Sequence, residues 1–248
     1  MENTQLFTEL AEAYTYGRPE YFLEFIEKLY DKYSFTTDSV IADIGSGTGK
    51  FSKQLLQKGS TVFGVEPNDG MRMAAEKEFC GNSNFISVKG DAVHTNLKDN
   101  SVDFITTAQA FHWFDIDKFK IECARILKPS GKILLIWNVR DMDSPVNRES
   151  YKVFEKYCPA FRGFSGGIRR DDERIKRFFD GKYQRVSYSN PLYYDKERFI
   201  KRSLSGSYSL KKGDAAFDKY CSALEEIFHK YEKDGILRME NNTEAYIG

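Results

Sequence analysis

The chain has no surplus of either charge: 37 Lys and Arg stand against 37 Asp and Glu. A non-specific nucleic-acid binder usually carries basic excess, so that partner class is disfavoured for the chain as a whole. It has no apolar run near the ~18 residues needed to span a bilayer, so no membrane partner is expected. Its start, Met1-Glu2-Asn3-Thr4, lacks the basic and apolar regions of a secretory signal. Cysteine is scarce: Cys80, Cys123, Cys158 and Cys221 are scattered, with no C-x-x-C. They read as reduced packing thiols of a cytoplasmic protein. Histidine is scarcer, and His94, His112 and His229 are too dispersed to suggest zinc, so no metal site is expected. Internal repeats and low-complexity tracts are missing too. Aromatics, by contrast, are plentiful: 15 Tyr and 20 Phe in 248 residues, enough for a thick core or an aromatic-lined pocket.

One stretch organises the rest: Ser39-Val40-Ile41-Ala42-Asp43-Ile44-Gly45-Ser46-Gly47-Thr48-Gly49-Lys50-Phe51. The apolar run predicts a buried strand. Gly45, Gly47 and Gly49 allow a tight turn and close approach of backbone to a ligand. Phe51, Leu55 and Leu56 then repeat at helical spacing. Strand, glycine turn and helix make the front half of a nucleotide-type unit. The spacing is G-x-G-x-G, whereas dinucleotide sites use G-x-G-x-x-G. Asp43 would repel a pyrophosphate but suits a ligand carrying an ammonium group. A second strand, Thr61–Val65, ends at Glu66-Pro67. A carboxylate about 20 residues past the turn can accept both hydroxyls of a ribose; alternatively Glu66 is a surface acid at a strand end.

The alternation continues. Phe85–Ala92 reads as a third strand ending at Asp91. Asp99–Ala110 is a fourth, running into Phe111-His112-Trp113-Phe114-Asp115. Residues 132–138 form a fifth, closing on Trp137 and Asn138 near the presumed acceptor. Strand ends at the carboxyl edge of a parallel sheet line the ligand crevice, so Gln109, His112 and Trp113 should face it. Trp113 could instead be core, and His112 a loop-shaping hydrogen-bonder rather than a base. From Asp141 to Asp180 the rhythm breaks into a locally basic segment. It reads either as an exposed helix whose arginines pair with Asp171, Asp172 and Glu173, or as a place where Arg140, Arg169 or Arg170 holds an acidic acceptor. A sixth strand is expected over residues 183–194, a helix over 214–233, and a closing strand or hairpin turning at Asn241-Asn242.

The glycine turn with Asp43 resembles motif I of the class I S-adenosylmethionine (SAM) methyltransferases. Tyr14-Thr15-Tyr16-Gly17-Arg18-Pro19-Glu20-Tyr21 resembles the Y-x-x-x-R-P-x-Y opening of their type 11 branch, which includes trans-aconitate methyltransferase-like and ubiquinone/menaquinone-biosynthesis-like enzymes. Gln109-Ala110-Phe111-His112-Trp113-Phe114 is similar to its Q-A-x-H-W-F. Arg125-Ile126-Leu127-Lys128-Pro129-Ser130-Gly131 is similar to its R-x-L-K-P-x-G. The likeness covers about residues 5–140 and is loose beyond. It implies N-terminal helices forming a lid, with Tyr14 and Arg18 near the methionine part of SAM. It also implies that Asp91 or its neighbour Ala92 contacts the adenine.

The expectation is therefore a single α/β domain. Its fold is a Rossmann-like, doubly wound, mainly parallel seven-stranded sheet whose last strand is antiparallel, the antiparallel strand following from the resemblance. Residues 1–35 form the lid, 36–140 the SAM-binding core, 141–182 a helical insertion and 183–248 the strands and helix completing the sheet. The cofactor set is Tyr14, Arg18, Asp43, Gly45, Ser46, Gly47, Thr48, Glu66, Pro67, Asp91, Ala92 and Gln109. His112, Trp113, Trp137 and Asn138 face the acceptor, with His112 the candidate base. The expected activity is methyl transfer to a small molecule by a monomer or homodimer. The alternatives are a nicotinamide-dependent oxidoreductase and a non-catalytic SAM-binding protein.

Overall fold

The computed structural model describes residues 21–164 and 172–248. Tyr14, Arg18, Arg169, Arg170 and most of the expected lid lie outside them. Runs of Val, Ile and Leu give the strands β1 (Val40–Ile44), β2 (Thr61–Val65), β3 (Phe85–Val88), β4 (Val102–Ala108) and β5 (Leu127–Arg140). Later come β6 (Gln184–Ser189), β7 (Leu192–Tyr194), β8 (Leu237–Met239) and β9 (Asn241–Ile247). Seven of these form one sheet in the order β3-β2-β1-β4-β5-β9-β6, while β7 and β8 pair separately. β1 to β5 run parallel; β9, last in the chain, is antiparallel to both β5 and β6.

Alternation along the strands sends neighbours to opposite faces, and both faces are buried. Ile41, Leu134, Ile136 and Ala245 face a core with α1 (Leu23–Lys32), α2 (Lys50–Gln57) and α3 (Asp69–Glu78). Ala42, Leu135, Trp137 and Tyr246 face a second core with α4 (Ile116–Ile126). After α5 (Pro145–Tyr157), the short α6 (Glu173–Phe178) joins that second core, where Phe178 stacks on Phe119 at 5.3 Å. A third cluster, built from α5, β7, α7 (Lys196–Leu204), α8 (Phe217–Tyr231) and β8, forms a cap.

Four expectations need correction. Trp137 is fully buried, edge-on to Phe111 and Tyr246, because its place in β5 points it into the second core and away from any acceptor. Of the two readings of residues 236–247 the closing strand holds, as β9, but Asn241-Asn242 is not a turn: β8 pairs with β7, and Asn241 opens β9 in the main sheet. The expected sixth strand divides at Asn190-Pro191, since proline cannot extend a ladder, and its second part leaves for the cap. Residues 183–248 therefore complete the sheet only through β6 and β9; their helices belong to the cap.

Candidate active site

The strand order reverses direction between β1 and β4, the switch point at which open α/β sheets bind ligands. The glycine turn lies there. Gly45 has φ +70°, and a Cβ on it would come 2.7 Å from the Ala110 Cβ, so only glycine fits. Gly45 and Ser46 donate their amides to the carbonyl of Val65, fastening the turn to the end of β2.

Asp43 and Glu66 stand on the same sheet edge. Asp43 is buried and accepts from Ser52 Oγ at 2.6 Å and Thr106 Oγ1 at 3.0 Å, tying β1 to α2 and β4. Burial raises its carboxyl to about 6, and the bonds from Ser52 and Thr106 hold it from going higher. Glu66 is buried, not the surface acid that a strand end allows. One of its oxygens accepts from the Gly47 amide and the other from the Asn68 amide, each at 2.9 Å. Burial raises its pKa, and those two amides oppose the shift. Asn68 caps α3, its side chain accepting from Met71 N at 2.9 Å.

Above the turn opens a cavity of about 480 Å³. Its floor is Asp43, Gly45, Ser46, Gly47 and Thr48; Gln109, His112, Trp113 and Asn138 form one wall. Gln109 sits at φ +61°, a conformation that costs a non-glycine residue and is typical of functional sites. Its side-chain amide donates to the Asn138 carbonyl at 3.0 Å, bracing the ends of β4 and β5. Trp113 is 48% exposed and stands 4.9 Å from the His112 ring, so it is a rim residue rather than core. Asn138 Oδ1 accepts from Thr243 Oγ1 at 2.7 Å, anchoring the wall to β9.

Glu66, Pro67, Asp91 and Ala92 share this edge but lie beside the cavity, not on its wall. Asp91 Oδ1 accepts from the Val93 and His94 amides at 2.7 and 2.8 Å, so it shapes its own turn. The far wall comes from the cap: Arg140 at the end of β5, Phe164 after α5, Tyr194, Arg202 and Tyr208. Of these only Arg140 was legible; no local motif marks the others. Part of the Asp141–Asp180 segment is an ordinary charged helix, with Arg174 on Asp172 at 2.8 Å.

The site suits a nucleoside bearing an amino-acid tail. Glycines leave room at the turn, Asp43 supplies negative charge beneath it, and Thr48 Oγ1 is buried on the floor without a hydrogen-bond partner.

Comparison with known proteins agrees. A family model described as a methyltransferase domain matches residues 42–135. A Dictyostelium discoideum protein named as a methyltransferase is 30% identical over 218 residues, 86% of this chain and 79% of its own. A methyltransferase-like protein of Schizosaccharomyces pombe is 32% identical over 158 residues, 62% of this chain and 60% of its own. The matches span 50–60% of the length of the first curated relatives. The crystal structure of a methyltransferase from an antibiotic biosynthesis pathway of Anabaena variabilis shares the fold, with TM-score 0.65 and 21% identity over 93% of this chain and 98% of that one.

Proposed function

The chain belongs to the methyltransferase family, and from that premise we propose that it transfers a methyl group from SAM to a small-molecule acceptor. The observation that carries this reading is the bond from the Gly47 amide to Glu66, which joins the glycine turn to the acid at the neighbouring strand end. In this reading Gly45, Ser46, Gly47 and Thr48 receive the amino-acid tail, with Asp43 beneath its ammonium. Glu66 has oxygen lone pairs left for ribose hydroxyls. Asp91 and Ala92 stand one strand further on, where the base would lie. Tyr14 and Arg18 keep the roles that the resemblance implies. When bound, SAM supplies an already activated sulfonium methyl.

What remains for the protein is alignment and exclusion of water. Gln109 and Asn138 hold one wall rigid, and Trp113 shields the rim. His112 stands where it can take a proton from a hydroxyl acceptor; a carboxylate acceptor would need none. Replacing His112 with Ala separates the two. A turnover loss beyond about a hundredfold marks a base, and a small loss removes that role.

Calorimetry with SAM and NAD in parallel tests the cofactor. SAM should bind, NAD should not, and Glu66→Gln should weaken SAM at least about tenfold, near 1.4 kcal/mol. Binding of NAD alone would favour an oxidoreductase. SAM binding with no turnover on any acid, phenol or amine would favour a non-catalytic binder.

A further inference from the structure

The cap end of the cavity holds a positive charge that nothing in the described protein balances. Arg140 projects from the end of β5 with its guanidinium carbon 4.1 Å from the centre of the Phe164 ring and 5.7 Å from that of Phe154. Its Nη1 is closed off from solvent and has no hydrogen-bond partner. Burial, then the like charge of Arg202, brings its pKa down to about 10, so it stays protonated at neutral pH. The other groups acting on it are Tyr208, Tyr194 and Tyr220; no carboxylate is among them. Arg202, half-buried on α7, lines the same chamber.

The cavity has two carboxylates on its described wall. Asp43 is engaged by Ser52 and Thr106 at the opposite end, beside the turn. Glu240 pairs with Arg238, Nε to Oε1 at 3.0 Å. Stacking on aromatic rings returns less than an uncompensated buried charge costs. A folded chain tolerates that deficit where a ligand supplies the counter-charge. Around them Phe164, Leu192, Tyr194 and Met239 give apolar surface, while Arg162, whose guanidinium donates to the carbonyls of Pro159 and Phe161, Ser207 and Asn241 add polar groups, a mixture that suits an anion on a partly apolar body.

We propose that the methyl acceptor is an organic acid whose carboxylate is held between Arg140 and Arg202 as an anchor, while another atom of it takes the methyl group. The inference rests on the reading that the glycine-turn end holds the donor. The carboxylate is an anchor because an oxygen pair shared by two guanidiniums has its lone pairs committed and its nucleophilicity lowered.

Thermal unfolding of the whole protein with saturating S-adenosylhomocysteine tests this with benzoate, benzamide and phenyl phosphate, each at millimolar concentration. Benzoate should raise the midpoint, and benzamide should do so by less than half as much. Arg140→Met and Arg202→Gln should each abolish the difference. With no ligand present, Arg140→Met should melt about 2–4 °C higher than the parent, since it keeps the packing and loses the unpaired charge. Equal shifts from acid and amide, no shift from either, or a difference that survives in Arg202→Gln overturns the proposal. A phenyl phosphate shift exceeding that of benzoate overturns the assignment to a carboxylate. Arg202→Gln gives an independent reading if Arg140→Met fails to fold. A benzoate shift that survives while S-adenosylhomocysteine fails to bind would sink the donor reading and leave the anion site standing.

Discussion

Asp43 is buried in the end of β1 with a carboxyl raised to about 6 against an ordinary 3.8, chiefly by burial, with the charge of Glu66 adding to it. Between about pH 4 and pH 6 the folded chain keeps a proton that the unfolded chain has shed. Stability from this group is therefore lost as pH rises through that window, by up to about 3 kcal/mol, and the deficit is constant above it. Urea unfolding of the parent and Asp43→Asn at pH 4.5 and pH 7 measures this. The parent should lose stability relative to the variant as pH rises, and an unchanged difference would show that Asp43 is not raised. Sequence showed this residue at once, because an acid two places before a glycine turn is a local pattern. It did not show the Ser52 and Thr106 bonds, which depend on α2 and β4 folding back. Those bonds make Asp43 a brace for the turn as well as a charge beneath it.

Among the elements, α4 is held to the sheet edge by one polar knot. Glu122 is buried and accepts from Thr95 N at 2.8 Å, Thr95 Oγ1 at 2.5 Å and both Nε and Nη2 of Arg125 at 2.8 and 2.7 Å. The Arg125 bonds, aided by Thr95, hold its carboxyl down at about 2. A depressed acid stabilises above its unfolded pKa of about 4.5, and that contribution fades as pH falls from there toward 2. Glu122→Gln should cost about 2 kcal/mol at pH 7, with a gap that narrows in acid; chemical denaturation at both pH values reads it. Phe119, Cys123 and Ile126 recur at helical spacing and form the inner face of α4. That spacing does not mark Glu122 as buried, because a carboxylate is buried only where partners from another element meet it.

For the molecule as a whole, the cap decides the chemistry at one end of the cavity. Phe154 is fully buried there, edge-on to Phe164 and Tyr208 at 5.7 and 5.4 Å, and the rings of Phe154 and Phe164 back Arg140. Phe154→Ala should destabilise by about 3–5 kcal/mol through lost burial and a cavity. It should also raise the acceptor KM while leaving SAM affinity within about threefold, since the glycine turn draws on different cores. Equal damage to both ligands would mean that cap and sheet respond as one packed unit. No helix of the described residues is long and apolar enough to cross a membrane.

The sequence by itself determined the parallel strands β1 to β5 and the glycine turn at one end of the cavity. Those features rest on contiguous signals: an apolar run, a glycine turn, and an acid at or just past the end of each of the first three strands. The edge on which those strand ends meet follows from parallel pairing alone. Tertiary structure decided the rest. Trp137 went to the core because its parity along β5 fixed its face, and the strand expected over residues 183–194 was split between two sheets. Arg140, Phe164, Arg202 and Tyr208 became neighbours only once α5 and α7 packed over the strand ends. Their shared environment is a product of long-range burial, which no local spacing encodes.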